Sequence, residues 1–111
     1  MPLSEEETKL LFDINECCVN IREFVSGITS YGEYTTNKII KKAIERDLIT
    51  IGEAIVKLNK ISELTLTNQE KIRAFRNRLV HDYSGTSDEL VWVAVTRHLP
   101  ILHNEVKNYL E

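Results

Sequence analysis

Residues 73–83 read RAFRNRLVHDY and place three arginines, a histidine and a tyrosine within about three helical turns of an acidic chain. Apolar Ile72, Phe75 and Leu79 recur at spacings of three and four residues, which is the period of an amphipathic helix. We therefore predict that this stretch forms a helix whose apolar stripe packs on a core, with its polar residues left on the outside.

A second, polar stripe runs along the same predicted helix. Arg73, Asn77 and His81 follow one another at steps of four residues, so their side chains line one face. Arginine can clamp phosphate oxygens with two hydrogen bonds, and histidine can move a proton near neutral pH. The stripe predicts a nucleic-acid or nucleotide site. Two plainer interpretations stay open: a histidine that only complements the helix dipole, and a solvated ion pair between Arg78 and Asp82.

Composition and capping residues predict that the rest of the chain is helical as well. Two prolines and four glycines among 111 residues favour an all-α protein, in a single domain over residues 1–111. Pro100 predicts a kink in the last helix. Four helices are expected: from Ser4 to about Ser26, from about Thr36 to Lys60, from about Thr67–Gln69 through residues 73–83, and from Ser87 onward. Gly27 and the pair Tyr31–Gly32 mark a turn after the first helix. These elements predict an up-and-down four-helix bundle.

Charge and cysteine usage narrow the function classes. A net charge of −3 and a pI near 5.6 argue against RNA binding by bulk charge, so any contact with nucleic acid requires a local basic patch. Cys17 and Cys18 are adjacent, and we expect both to be reduced thiols. No Cys/His cluster has the spacing of a metal site, and no signal peptide or membrane span is evident. We expect a cytoplasmic protein without a metal.

Several single residues have ordinary structural interpretations. Gly52 lies in the middle of a predicted helix, where glycine costs roughly 1 kcal/mol relative to alanine, so we expect a neighbouring helix to pack closely there. Arg46 and Glu53 are seven residues apart, and taken alone they suggest a surface pair. His98 and His103 share no stripe with each other or with a nearby acid, and we predict that both lie on the surface.

The chemistry of RNA cleavage adds a constraint on assembly. Cleavage by attack of the 2′-OH needs a base for that hydroxyl and an acid for the leaving oxygen, and His81 is the one good candidate. A symmetric dimer would bring two copies of His81 and Arg76 into one cleft, with arginine stabilising the charged transition state. Such a dimer would supply both proton-transfer groups, and the 2′-OH would supply the nucleophile without a metal.

Motifs in four parts of the sequence match one known family. Residues 76–83, RNRLVHDY, fit an Arg-x-x-x-x-His-x-Tyr motif, and residues 46–54, RDLITIGEA, fit an Arg-Asn-Leu-x-x-Ile-Gly-Glu-Ala segment. Residues 11–14, LFDI, fit a Leu-x-Asp-Ile segment, and residues 90–100 carry a Leu-Val-Trp and a Leu-Pro pair. In order and spacing the chain resembles the HepT-like proteins, a branch of the HEPN superfamily.

This resemblance implies an all-α, HEPN-type bundle that forms a homodimer around a composite cleft. It also implies a metal-independent endoribonuclease with no cofactor of its own, which acts as the toxin of a toxin–antitoxin pair. By position, Arg76 and His81 would be catalytic. Tyr83 would accept AMP that an MntA-type nucleotidyltransferase antitoxin transfers from ATP, and the added charge and bulk would repel RNA. That antitoxin would bind the homodimer, or form a larger hetero-oligomer with it. Supporting or RNA-binding positions would be Asn77, Arg73, Arg46, Glu53 and Asp13.

Two alternatives to a ribonuclease remain. One is a non-catalytic HEPN module that binds nucleotide or serves as the partner subunit of a minimal nucleotidyltransferase. The other is a helical dimerisation protein whose polar stripe is only a solvated face. Cleavage of RNA by the purified protein in EDTA, and its loss in His81→Ala, would separate the ribonuclease from both.

Overall fold

The structure is a computed structural model that describes residues 2–81 and 87–111, and these residues form a helical fold. The helices are α1 (Glu5–Ser26), α2 (Tyr31–Thr36), α3 (Lys38–Ile61), α4 (Gln69–His81), α5 (Asp88–Val93) and α6 (Leu99–Leu110), with a π-helical segment (Ala94–His98) between α5 and α6. Within these two ranges there is no strand, and no helix is long and apolar enough to cross a bilayer. The all-α prediction is confirmed.

The first helix begins where its capping residues predict. The backbone N–H of Glu7 donates to Ser4 Oγ at 3.1 Å, and the backbone N–H of Ser4 donates to Glu7 Oε1 at 2.9 Å. This reciprocal pair satisfies two donors that a bare helix end would leave open. The hydroxyl of Ser62, just after α3, donates to Glu7 Oε2 at 2.5 Å and ties the end of α3 to the start of α1. These hydrogen bonds lower the pKa of Glu7.

The core lies where α1 packs against α3 and α6, and where α3 packs against α4. Each helix contributes one apolar stripe, and α4 contributes Ile72 and Phe75 from the stripe that its sequence predicts. Because this apolar side of α4 is buried in the core, the polar residues of α4 lie on its other side. The fully buried side chains include Leu11, Ile14, Ile21, Ile44, Leu48, Ile51, Ile55, Leu58, Leu99 and Leu102.

Both cysteines belong to this core. Cys17 and Cys18 are buried free thiols, as predicted. Burial is the main reason that the pKa of each thiol is raised to about 12. For Cys17, the charges of Asp47, Asp13 and Glu16 and a hydrogen bond with Asp47 act in the same direction. The two thiols are therefore packing groups and not nucleophiles.

A short helix occupies the segment for which the sequence predicts only a turn. Helix α2 begins after Ser30, whose hydroxyl accepts the backbone N–H of Glu33 at 3.2 Å. Tyr34 is fully buried, and its ring stacks on Trp92 with the centroids 5.2 Å apart. The aromatic contact with α5 stabilises a helix that is too short to persist alone. The turn prediction is wrong for Tyr31–Thr36 because this contact is tertiary.

The last helix changes its hydrogen-bonding pattern before Pro100. The backbone N–H of Leu99 donates to the carbonyl of Ala94, five residues earlier, in place of the usual four. Proline cannot donate a backbone hydrogen bond, and a π-helical turn is one way for a helix to take up such a break. The sequence indicates an irregularity at Pro100, and the structure shows it as the π-helical segment that ends at His98.

The prediction that His103 lies on the surface is wrong. Its side chain is buried between α1 and α6, with Nε2 2.9 Å from Asn15 Oδ1 and Nδ1 3.2 Å from Arg22 Nη1. The guanidinium can only donate, so Nδ1 accepts and Nε2–H donates, and the ring is neutral. Burial, followed by the charges of Lys107 and Arg22, lowers the pKa of His103. His98 is intermediate in exposure.

Candidate functional site

The stem of Arg76 packs closely against Gly52, where α4 meets α3. An ideal Cβ placed on Gly52 of α3 would lie 2.4 Å from Arg76 Cβ and 2.9 Å from Arg76 Cγ. Carbon atoms without a bond between them prefer separations of about 3.5–4.0 Å, so no residue with a side chain fits at position 52 without movement. The close packing predicted at Gly52 is confirmed, and the group packed there is the stem of the candidate catalytic arginine.

The guanidinium of Arg76 is fixed at one end. Its Nη1 donates to Asn77 Oδ1 at 3.0 Å, which joins two of the predicted site residues. Its Nε is buried and has no hydrogen-bond partner among the residues that the structure describes. A buried donor without a partner costs about 1–3 kcal/mol. The contact with Gly52 thus keeps the base of this side chain in place while part of its hydrogen-bonding capacity is unused.

His81 is the last residue of α4 and is exposed. Five residues separate it from Arg76, and this spacing corresponds to a rotation of roughly 140° around an α-helix. The two side chains therefore leave α4 in different directions. Asn77 is also exposed, and its side chain projects from the sector between them. The stripe predicted from Arg73, Asn77 and His81 is present on α4.

Arg73 has a structural partner. Its Nη1 donates to Asn59 Oδ1 on α3 at 3.0 Å. Asn59 Nδ2 in turn donates to Gln69 Oε1 at 3.4 Å, and the same oxygen accepts the backbone N–H of Leu66 at 3.1 Å. This network joins the end of α3, the connection and the start of α4. Sequence reasoning did not find it, because Asn59 and Gln69 belong to different helices and share no periodic pattern.

The remaining family positions, Arg46, Glu53 and Asp13, lie on α3 and α1. Arg46 and Glu53 are exposed and line the same shallow depression on α3, but no ion pair joins them in the part of the chain described. The ion pair present in the described residues joins Lys41 to Asp88, with 2.7 Å between Lys41 Nζ and Asp88 Oδ2. The surface position suggested by the spacing of Arg46 and Glu53 is therefore confirmed, whereas the described residues show no ion pair between the two. Asp13 lies on α1, where its charge acts on the thiol of Cys17.

Residues 82–86 lie outside the described residues, and two sequence predictions fall on them. One is the role of Tyr83 as an AMP acceptor, and the other is the ion pair between Arg78 and Asp82. Across residues 2–81 and 87–111, no group of three or more His, Cys, Asp or Glu side chains is placed to hold a metal ion. The polar residues of α4 from Arg73 to His81 are three arginines, one asparagine and one histidine, residue types that are suited to binding phosphate.

Comparison with known proteins identifies the family of the chain. The family model "Ribonuclease HepT-like" matches residues 14–109. A Methanocaldococcus jannaschii protein named "Putative RNase MJ1380" is 32% identical over 108 residues, which cover 95% of this chain and 98% of that protein. A Caldanaerobacter subterraneus protein named "Putative RNase TTE0752" is 28% identical over 96 residues, 85% of each chain. No solved structure matches the chain. The chain belongs to the HepT-like ribonuclease family.

Proposed function

We propose that this protein is a metal-independent endoribonuclease, and that it acts as the toxin of a toxin–antitoxin pair. Two copies, each an up-and-down four-helix bundle of HEPN type, form a homodimer with the active site in the cleft between them. Arg76 and His81 are the catalytic residues. Family membership and the names of the relatives support ribonuclease activity. The contact of Gly52 with the stem of Arg76 is the observation that carries the assignment of Arg76. The exposed position of His81 at the end of the same helix supports its role in proton transfer.

The proposed reaction needs no external nucleophile. The 2′-oxygen of RNA attacks the adjacent phosphorus, the bond from phosphorus to the 5′-oxygen of the next nucleotide breaks, and the products are a 2′,3′-cyclic phosphate and a 5′-hydroxyl. One His81 accepts the proton of the 2′-hydroxyl, and the His81 of a second copy donates a proton to the leaving oxygen. Arg76 stabilises the negative charge that develops on the phosphoryl oxygens.

The directions of the two side chains support a site built from two copies. His81 and Arg76 diverge by roughly 140° around α4, so a single helix does not aim both at one phosphate. A twofold axis close to the exposed end of α4 would bring a second imidazole and a second guanidinium to the same cleft. The exposed position of His81 leaves its ring open to such an approach.

Cleavage of RNA in EDTA is the direct test. Wild-type protein should cleave RNA in EDTA, and His81→Ala should abolish cleavage while the circular dichroism spectrum and Tm stay unchanged, because His81 is exposed. Asn104→Ala, at another exposed position, is the matched control and should cleave normally. RNA left intact together with binding of ATP would favour the non-catalytic module. Unaltered cleavage of RNA by His81→Ala would show that His81 is not a catalytic residue.

A mixing experiment tests the composite site. If both imidazoles of a dimer are needed, heterodimers of wild-type and His81→Ala protein are inactive. At equal amounts of the two proteins, random exchange leaves about one quarter of the dimers with two wild-type copies. Specific activity per wild-type chain should therefore fall by about half. If that activity does not change after exchange, each copy carries its own complete site.

Silencing by a nucleotidyltransferase antitoxin is the second part of the proposal. AMP on Tyr83 would add phosphate charge and bulk two residues from His81, and both oppose binding of RNA. Intact mass after incubation with the antitoxin and ATP should increase by whole AMP units. Tyr83→Phe should take up no AMP, keep its ribonuclease activity, and stay active in the presence of the antitoxin. Modification of Tyr83→Phe at another residue would contradict the assignment.

A further inference from the structure

A groove on the side of α4 away from Gly52 combines an apolar floor with basic side chains. Its volume is about 360 Å³, within the range of small-ligand sites. Lys71, Phe75 and Arg78 come from α4, and Leu90 and Val93 come from α5. Phe75 is 9% exposed and forms part of the floor, whereas Leu90 is 47% exposed. Leu90 therefore contributes exposed apolar area to the lining of the groove.

The charge of this groove opposes that of the whole chain. The protein carries a net charge of −3, yet Lys71, Arg78 and His98 line the groove and no described lining residue is acidic. His98 ends the π-helical segment and is partly buried. Burial, with the nearby charges of Lys71 and Arg97, lowers the pKa of His98, so its ring is neutral near pH 7. A neutral ring offers both a donor and an acceptor.

The groove lies beside the proposed active site. His81 follows Arg78 by three residues and Ala74 by seven, so the three residues share one side of α4. Ala74 and Arg78 line the groove, so the groove opens on the side of α4 that also carries His81 one turn after Arg78. A polymer held at the imidazole could continue along this face. Arg76 and the contact with Gly52 lie on a different side of the helix, and the groove does not include them.

We propose that this groove binds one nucleotide of single-stranded RNA next to the scissile phosphate. Its base packs on the apolar floor of Phe75 and Leu90, its phosphate meets Lys71 and Arg78, and His98 hydrogen-bonds to a base edge. Single-strand binding sites combine a positively charged groove with aromatic side chains on which bases stack, and Phe75 is the aromatic residue of this groove. A basic groove with an apolar floor could also bind an acidic peptide. We choose RNA because the groove lies on the same side of α4 as His81, so the inference rests on the proposed function.

RNA binding by a non-cleaving protein tests this proposal. In a His81→Ala background, Lys71→Glu should raise the Kd for a single-stranded RNA by roughly tenfold at about 0.1 M salt and reduce the dependence of log Kd on log salt by about one. Leu90→Ser should weaken binding by a similar factor without changing that slope. Lys57→Glu carries the same charge change at an exposed position on α3, outside the groove, and is the matched control.

The outcomes separate the groove from the catalytic proposal. If RNA is cleaved but Lys71→Glu binds RNA as tightly as the Lys57→Glu control, the groove proposal is overturned and the ribonuclease proposal stands. If RNA is bound through Lys71 but never cleaved, the groove stands and the ribonuclease proposal fails. A Leu90→Ser protein that changes its oligomeric state, or loses an antitoxin, with unchanged RNA affinity would assign the groove to a protein interface and overturn the proposal.

Discussion

Replacing Gly52 with alanine tests the link between helix packing and the candidate catalytic arginine. The new methyl group would lie 2.4 Å from Arg76 Cβ, whereas ordinary contacts begin near 3.4 Å, so α4 or the arginine stem must move by about 1 Å. Overpacking of this kind costs about 1–3 kcal/mol. Alanine recovers about 1 kcal/mol through its better helix propensity. We expect a net loss of about 0–2 kcal/mol in the free energy of unfolding.

Activity should change far more than stability. A displacement of about 1 Å at a catalytic group can reduce the rate by about 100-fold. Domains of this size are stable by about 5–15 kcal/mol, so Gly52→Ala should remain folded while its kcat falls. Urea unfolding gives the stability, and initial rates on RNA in EDTA give the activity. The control is Gly27→Ala: no atom lies within 4 Å of its added Cβ. We expect unchanged kcat and stabilisation by about 0.4–1 kcal/mol.

A double substitution shows whether the contact with Arg76 is the cause. In an Arg76→Gly background the two clashing atoms are gone, and the closest other atom is the carbonyl oxygen of Ile72 at 3.4 Å. Gly52→Ala should then stabilise the protein by up to about 1 kcal/mol, so the sign of its effect reverses. An equal loss of stability in both backgrounds would refute the reasoning. So would a Gly52→Ala protein with wild-type kcat.

Two further predictions concern buried titratable groups. The pKa of His103 is lower in the folded state than its ordinary value of about 6.5, so the unfolded chain binds more protons and the free energy of unfolding falls as the pH drops from about 7.5 to 6. His103→Gln should show a shallower fall in urea titrations at those two pH values, and an unchanged slope would count against a buried neutral ring. Cys17 and Cys18 should react with a thiol reagent only after addition of urea, because burial raises the pKa of both to about 12; rapid labelling of the native protein would contradict their buried positions.

The ends of the long helices could be predicted from the sequence, because capping is local. Ser4 and Glu7 satisfy each other within four residues, and Ser87 caps α5 as expected. Helix periodicity also identified the stripe of Ile72 and Phe75 that α4 buries. The polar stripe and the family motif selected the same helix as the candidate site. These features depend on residues that are neighbours along the chain, so one sequence is enough to recognise them.

Features that depend on two distant elements needed the tertiary structure. The spacing of Gly52 predicts a close neighbour, but only the packing of α3 on α4 shows that this neighbour is Arg76. His103 was predicted at the surface because its partners, Asn15 and Arg22, lie more than eighty positions away on α1. Helix α2 forms because Tyr34 stacks on a ring of another helix.

The sequence by itself determined the helical class, the ends of the long helices and the family. Its periodicity and caps are set by interactions between residues at most a few positions apart, and the motif is a pattern of residue types. The tertiary structure alone decided which side chains support Arg76, which histidine is buried, and how a basic groove forms between α4 and α5. The physical reason is that these contacts are made across helix interfaces, where burial and separation depend on how whole helices pack.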